Sequence, residues 1–95
     1  MILSIVSYST SSIRKLTERL LTRPTDMRFA EIRMILEHYG WRLDRMKGSH
    51  RVFAKDGDPN RITLPEDGKK VKGPYLLSII KLLGIGEENN HEERR

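Results

Sequence analysis

One short segment of this 95-residue chain gathers groups able to move a proton beside a phosphate: Arg45-Met46-Lys47-Gly48-Ser49-His50-Arg51. An imidazole titrates near neutral pH and can both accept and donate a proton. Arg45, Lys47 and Arg51 are cations of the kind that hold a phosphodiester or stabilise the charge developing on it. Gly48 and Ser49 are turn residues that reverse the chain and present the histidine. RNA carries its own nucleophile, the 2′-hydroxyl. A protein can therefore cleave it by positioning, one proton shuttle and charge stabilisation, a scheme that calls for no metal and no cofactor. The plainer alternative is that His50 is a surface or hydrogen-bonding residue at a strand end.

The remaining reactive groups are few. His38 falls in the last turn of a helical pattern, where the helix dipole favours a cation, and His91 lies in a charged tail. The three histidines are too widely spaced to read as a local metal cluster. The chain has no cysteine, hence no disulfides, thiolate zinc sites or cysteine nucleophiles. Gly84-Ile85-Gly86 lacks a third glycine and follows a helical pattern, so it is not a dinucleotide fingerprint. Lys70 and Lys72, in the run Lys69-Lys70-Val71-Lys72, are candidate phosphate contacts; a solvated loop is the alternative. Trp41 and Phe53 could stack bases, but strand alternation makes Trp41 a core residue first.

Composition agrees with a polyanionic partner. Eighteen Lys+Arg against thirteen Asp+Glu give a net charge of +5, and the pI is about 9.8. With 37% hydrophobic and 33% charged residues, the chain is polar but still able to bury one core. Residues 1–28 and 29–85 are net basic and 86–95 net acidic, and the last segment is expected to be a disordered charged tail. The apolar start Met1-Ile2-Leu3 is too short for a secretory or membrane segment. The expectation is a soluble, cytoplasmic protein with no membrane association.

Three helical patterns and three strands must position the segment. Ser11-Ser12 opens a helix striped by Ile13, Leu16 and Leu20, with Pro24 beyond its end. Thr25 and Asp26 are expected to cap a second helix, with Phe29, Ile32, Ile35, Leu36 and Tyr39 on one face and Gly40 ending it. A strand is predicted at 41–46, with Trp41 and Leu43 alternating against Arg42 and Asp44. The turn Lys47-Gly48-Ser49 leads to a returning strand at 51–55, and Asp56-Gly57-Asp58-Pro59-Asn60 to a third at 61–64. In the middle strand, either His50, Val52 and Ala54 or Arg51, Phe53 and Lys55 face the helices. Pro74 starts a last helix with Leu76, Ile79, Ile80 and Leu83 on its apolar face. The fold class is α+β: a three-stranded antiparallel meander covered by two helices (α-β-β-β-α), preceded by an N-terminal extension with an extra helix. Order and size are those of a double-stranded-RNA-binding-domain-like fold.

Several of these residues fall together in one pattern. Gly48-Ser49-His50, the preceding Tyr39-Gly40-Trp41, the strand end Ile62-Thr63-Leu64-Pro65, and Lys72-Gly73-Pro74-Tyr75-Leu76 through Leu83-Gly84-Ile85 resemble the HicA toxin family. These are small mRNA interferases of HicA–HicB toxin–antitoxin pairs. The resemblance implies a domain at 27–85, an N-terminal extension at 1–26 and a tail at 86–95. It also implies metal-independent endonucleolytic cleavage of mRNA with His50 as catalytic residue. Arg45, Lys47, Gly48, Ser49, Arg51, Lys70 and Lys72 would bind RNA, without a cofactor. A HicB-like antitoxin would be the partner; a homodimer or a hetero-oligomer with that antitoxin both stay open. Many members carry a second histidine beside Gly-Ser-His or after the third strand's proline. Arg51 and Glu66-Asp67 stand there in this chain, so catalysis by one histidine is implied. Residues 1–26 either precede the true start or add a helix that packs on the core. The rival functions are a non-catalytic RNA-binding module and a protein-interaction domain.

Overall fold

A computed structural model describes residues 10–86. The acidic tail beyond Gly86, with His91, lies outside the described residues. The chain runs α1 (Thr10–Leu21), β1 (Asp26–Arg28), α2 (Phe29–His38), β2 (Trp41–Lys47), β3 (His50–Lys55), β4 (Arg61–Pro65), β5 (Lys70–Lys72) and α3 (Gly73–Leu83). β2, β3 and β4 form the expected antiparallel meander, in that spatial order. The α+β class and the three predicted strands are therefore present.

The apolar spacing of each helix explains its burial. Ile32, Ile35 and Leu36 of α2 and Leu76, Ile79 and Ile80 of α3 are buried. They share one cluster with Trp41, Phe53, Ile62 and Leu64 of the meander. All the helical contribution to that cluster comes to one face of the sheet, so among the described residues the sheet has a covered face and an open one. The narrow stripe of α1 joins the same cluster through Leu20, which is 0% exposed, while Arg19 pairs with Glu31 of α2 at 3.0 Å. Thr10 is already helical, so Ser11 and Ser12 lie within the helix instead of capping it.

Two features depart from the expected pattern. Asp26–Arg28 and Lys70–Lys72 pair antiparallel as a separate two-stranded ribbon, Met27 against Val71. Lys70-Val71-Lys72 is thus a strand and no solvated loop, with Val71 and Met27 buried at its centre. The ribbon also changes the start of α2. Asp26 is taken into β1, and neither it nor Thr25 caps the helix. The carboxylate of Glu31 instead accepts the N–H of Arg28 at 3.1 Å, and the Lys69 carbonyl accepts that of Phe29 at 2.8 Å. Lys69 adopts φ +70° after Gly68 at +60°, two left-handed residues joining the Asp67–Lys70 bridge as a tight turn.

Candidate active site

Cross-strand register decides which side chains stand beside His50. In an antiparallel pair, directly opposed residues point to the same face. Phe53 opposes Leu43 and Ile62, and is buried under the helices; Arg51, two residues back, shares that face with Met46 and Leu64. The phase left open by the sequence is settled: the Arg51 and Phe53 side faces the helices. His50, Val52 and Ala54 therefore point to the open face, and His50 is exposed.

Lys47 and His50 face each other as the last pair of β2 and β3, so Gly48-Ser49 is a two-residue hairpin loop. Gly48 has φ +58° whereas Ser49 is not left-handed, the pattern of a type II′ turn with glycine first. The loop is tied to β4, because the Ser49 carbonyl accepts the N–H of Glu66 at 2.8 Å. His50 is thus delivered at the end of a hairpin fixed on both sides.

A β-bulge between Leu43 and Arg45 sets the rest of the site. Simple alternation from Trp41 and Leu43 would turn Arg45 and Lys47 toward the helices. Asp44 is the extra residue, and beyond it the order is reversed: Arg45 opposes Val52 and Lys47 opposes His50, both outward. Three rows result across the open face. They are Lys47, His50 and Pro65; Arg45, Val52 and Thr63; and Arg42, Ala54 and Arg61.

The cations differ in how they are engaged. Arg42 meets Asp56 at 2.8 Å, and this hydrogen bond, with the attraction of the Asp56 charge, raises the guanidinium pKa above its ordinary value. Arg45 lies 3.4 Å from Asp44. Arg61 donates to the backbone carbonyls of Asp58, Pro59 and Asn60. Arg51 is set apart. Its Nε meets Glu66 Oε1 at 2.8 Å, with the two side chains only 20% and 16% exposed, and its Nη1 donates to the Gly48 carbonyl at 2.7 Å. On the helix side of the hairpin and already neutralised, Arg51 braces the loop and does not share the histidine's face.

Lys70 and Lys72 are likewise off the meander, on the β1–β5 ribbon. Lys72 pairs with Asp67 at 3.1 Å, and Lys70 lines a groove with Arg28, Phe29, Glu66 and Lys69. Trp41 is buried, with the Lys55 ammonium 6.0 Å from its ring centre, and is no stacking platform. Sequence reasoning missed Arg42 and Arg61 as neighbours of the site. Their alternation with Trp41 and Leu43, and with Ile62 and Leu64, was the signal that could have found them. Among the described residues, no three His, Cys, Asp or Glu come together to hold a metal ion, and no helix is long and apolar enough to cross a membrane.

No curated protein and no solved structure matches the chain. Residues 29–85 match the family model described as HicA toxin of bacterial toxin-antitoxin. That span runs from the first residue of α2 to just past α3, and contains the meander with its histidine-bearing hairpin. A match of that extent, on a chain with the α+β architecture the resemblance implies, leads to one assignment: the chain belongs to the HicA family of toxins from bacterial toxin–antitoxin systems.

Proposed function

We propose that this toxin is an endoribonuclease that cleaves mRNA with His50 as its single general acid and base, and that a HicB-like antitoxin restrains it in the cytoplasm. The supporting observation is the exposure of His50 on the helix-free face, directly opposite Lys47 and one row from Arg45. His50 takes the proton from a 2′-hydroxyl as that oxygen attacks the neighbouring phosphorus. The bond from phosphorus to the 5′-oxygen breaks, and the proton goes to the departing 5′-oxygen. The products are a 2′,3′-cyclic phosphate and a 5′-hydroxyl. No water, metal ion or redox partner enters the balance. Lys47 and Arg45 attract the phosphate and stabilise its growing charge, an effect strengthened where water is displaced. Gly48 and Ser49 hold the loop close to the strand without filling the space beside the ring.

The test is incubation of the purified chain with RNA in EDTA, followed by analysis of fragment ends. Cyclic phosphate ends are expected. His50→Ala should fold normally, since the ring is exposed, and lose cleavage by a factor on the order of 10²–10⁴. Undiminished cleavage by the folded variant would sink the assignment. RNA bound but left intact by the unmodified chain would instead identify a non-catalytic binding module.

A further inference from the structure

The open face of the meander carries more charge than the proposed chemistry uses. Its far row, Arg42, Ala54 and Arg61, lies four residues along β3 from His50, about 13 Å at strand spacing. Both edge strands contribute a cation there, and the middle strand contributes only small side chains, Val52 and Ala54. A row of small residues therefore runs from the 57–60 turn to the histidine, flanked by Arg42, Arg45 and Lys47 on β2 and by Arg61, Thr63 and Pro65 on β4.

We infer that this face is the binding track for a single RNA strand, with Arg42 and Arg61 as phosphate contacts remote from the cleaved bond. The inference rests on the reading of His50 only for where the track leads. Three observations favour a nucleic-acid backbone over an acidic protein. The outward positions of the three rows hold no Trp, Tyr or Phe side chain, the large aromatic anchors that protein interfaces rely on. The Arg61 guanidinium is held by backbone carbonyls and, among the described residues, has no carboxylate contact. Asp56 is 86% exposed where it meets Arg42, and such a surface pair is weak and salt-screened, so a phosphate can displace it. Self-cleavage needs the attacking and leaving oxygens in line, which stacked A-form geometry does not offer. The strand must therefore be unpaired where it crosses the hairpin. With no Phe, Tyr or Trp ring on the face to stack bases, recognition is of the backbone and tolerant of sequence.

The experiment uses the full chain and a fluorescein-labelled single-stranded 2′-O-methyl oligoribonucleotide, which binds but supplies no nucleophile. Arg42→Gln with Arg61→Gln should weaken binding roughly tenfold and reduce the salt slope by about 1.4, at about 0.7 for each phosphate no longer neutralised. The lysine versions, Arg42→Lys with Arg61→Lys, should restore most of both. Arg14→Gln with Lys15→Gln, which removes the same charge from the exposed side of α1, is the control and should change little. An equal fall in affinity in the control pair means bulk charge alone and overturns the track. So does unchanged affinity in the Arg42 and Arg61 pair, including the case in which that pair instead loses affinity for an acidic protein. Because this probe is not cleaved, a failure of His50 as catalyst leaves the binding result standing, and the reverse also holds.

Discussion

At the scale of single residues, the most consequential contact is the one between Arg51 and Glu66. The sequence presents Arg51 as one more phosphate ligand beside His50. The register instead turns it to the helix side, where Glu66 neutralises it and the Gly48 carbonyl takes a second hydrogen bond. The two assignments give opposite signs for one substitution. Were Arg51 a phosphate ligand, Glu66→Gln would free it and lower KM. As a brace for the hairpin, the pair should show reduced kcat with little change in KM for either Glu66→Gln or Arg51→Gln, because the loop that aims the imidazole loosens. The double variant should be no worse than the singles, with a coupling of about 1 kcal/mol. Additive losses, or a KM effect alone, would return Arg51 to the substrate. Gly48, Ser49 and His50 were legible because turn chemistry and a titrating side chain are local properties; the partner of Arg51 was not, because it lies fifteen residues away, just past β4.

At the scale of elements, legibility followed length. The ten-residue α2 and eleven-residue α3 repeat their apolar spacing often enough to be read. Three-residue strands cannot show a period, so Asp26–Arg28 passed for a helix cap and Lys70–Lys72 for a charge run. The first helix lies between these cases. Its stripe is narrow, but Leu20 is fully enclosed by the cluster to which α2 and α3 contribute, although the family match begins only at residue 29. Leu20→Ala is therefore expected to cost about 2–5 kcal/mol, as for other enclosed leucines. A thermal melt should register this as a fall on the order of 10 °C or more for a domain of this size. A change of only a degree or two would make α1 a peripheral attachment. The exposed Arg19–Glu31 pair adds little to that anchoring.

At the scale of the whole molecule, net charge was readable from composition, but its arrangement was not. The +5 excess says that a polyanion is favoured. Which side of the sheet that excess occupies near His50 depends on a bulge for which the sequence gives no sign: Arg42-Leu43-Asp44-Arg45 continues the alternating pattern up to the point where the structure breaks it. The bulge takes up one surplus residue, so the facing of the cations should survive its removal. Loss of the single codon for Asp44 removes one acid and takes the net charge from +5 to one unit higher, so attraction alone predicts tighter RNA binding. Arg45 would then follow Leu43 directly and keep the outward place opposite Val52, so that Arg45, Met46 and Lys47 all stay on the sides they now occupy. The shortened chain should bind RNA at least as tightly as its parent, a result readable from the same fluorescence titration; weaker binding would show that the bend of the bulge itself shapes the RNA track. A codon could thus be lost in frame from the middle of a strand without one basic residue changing sides.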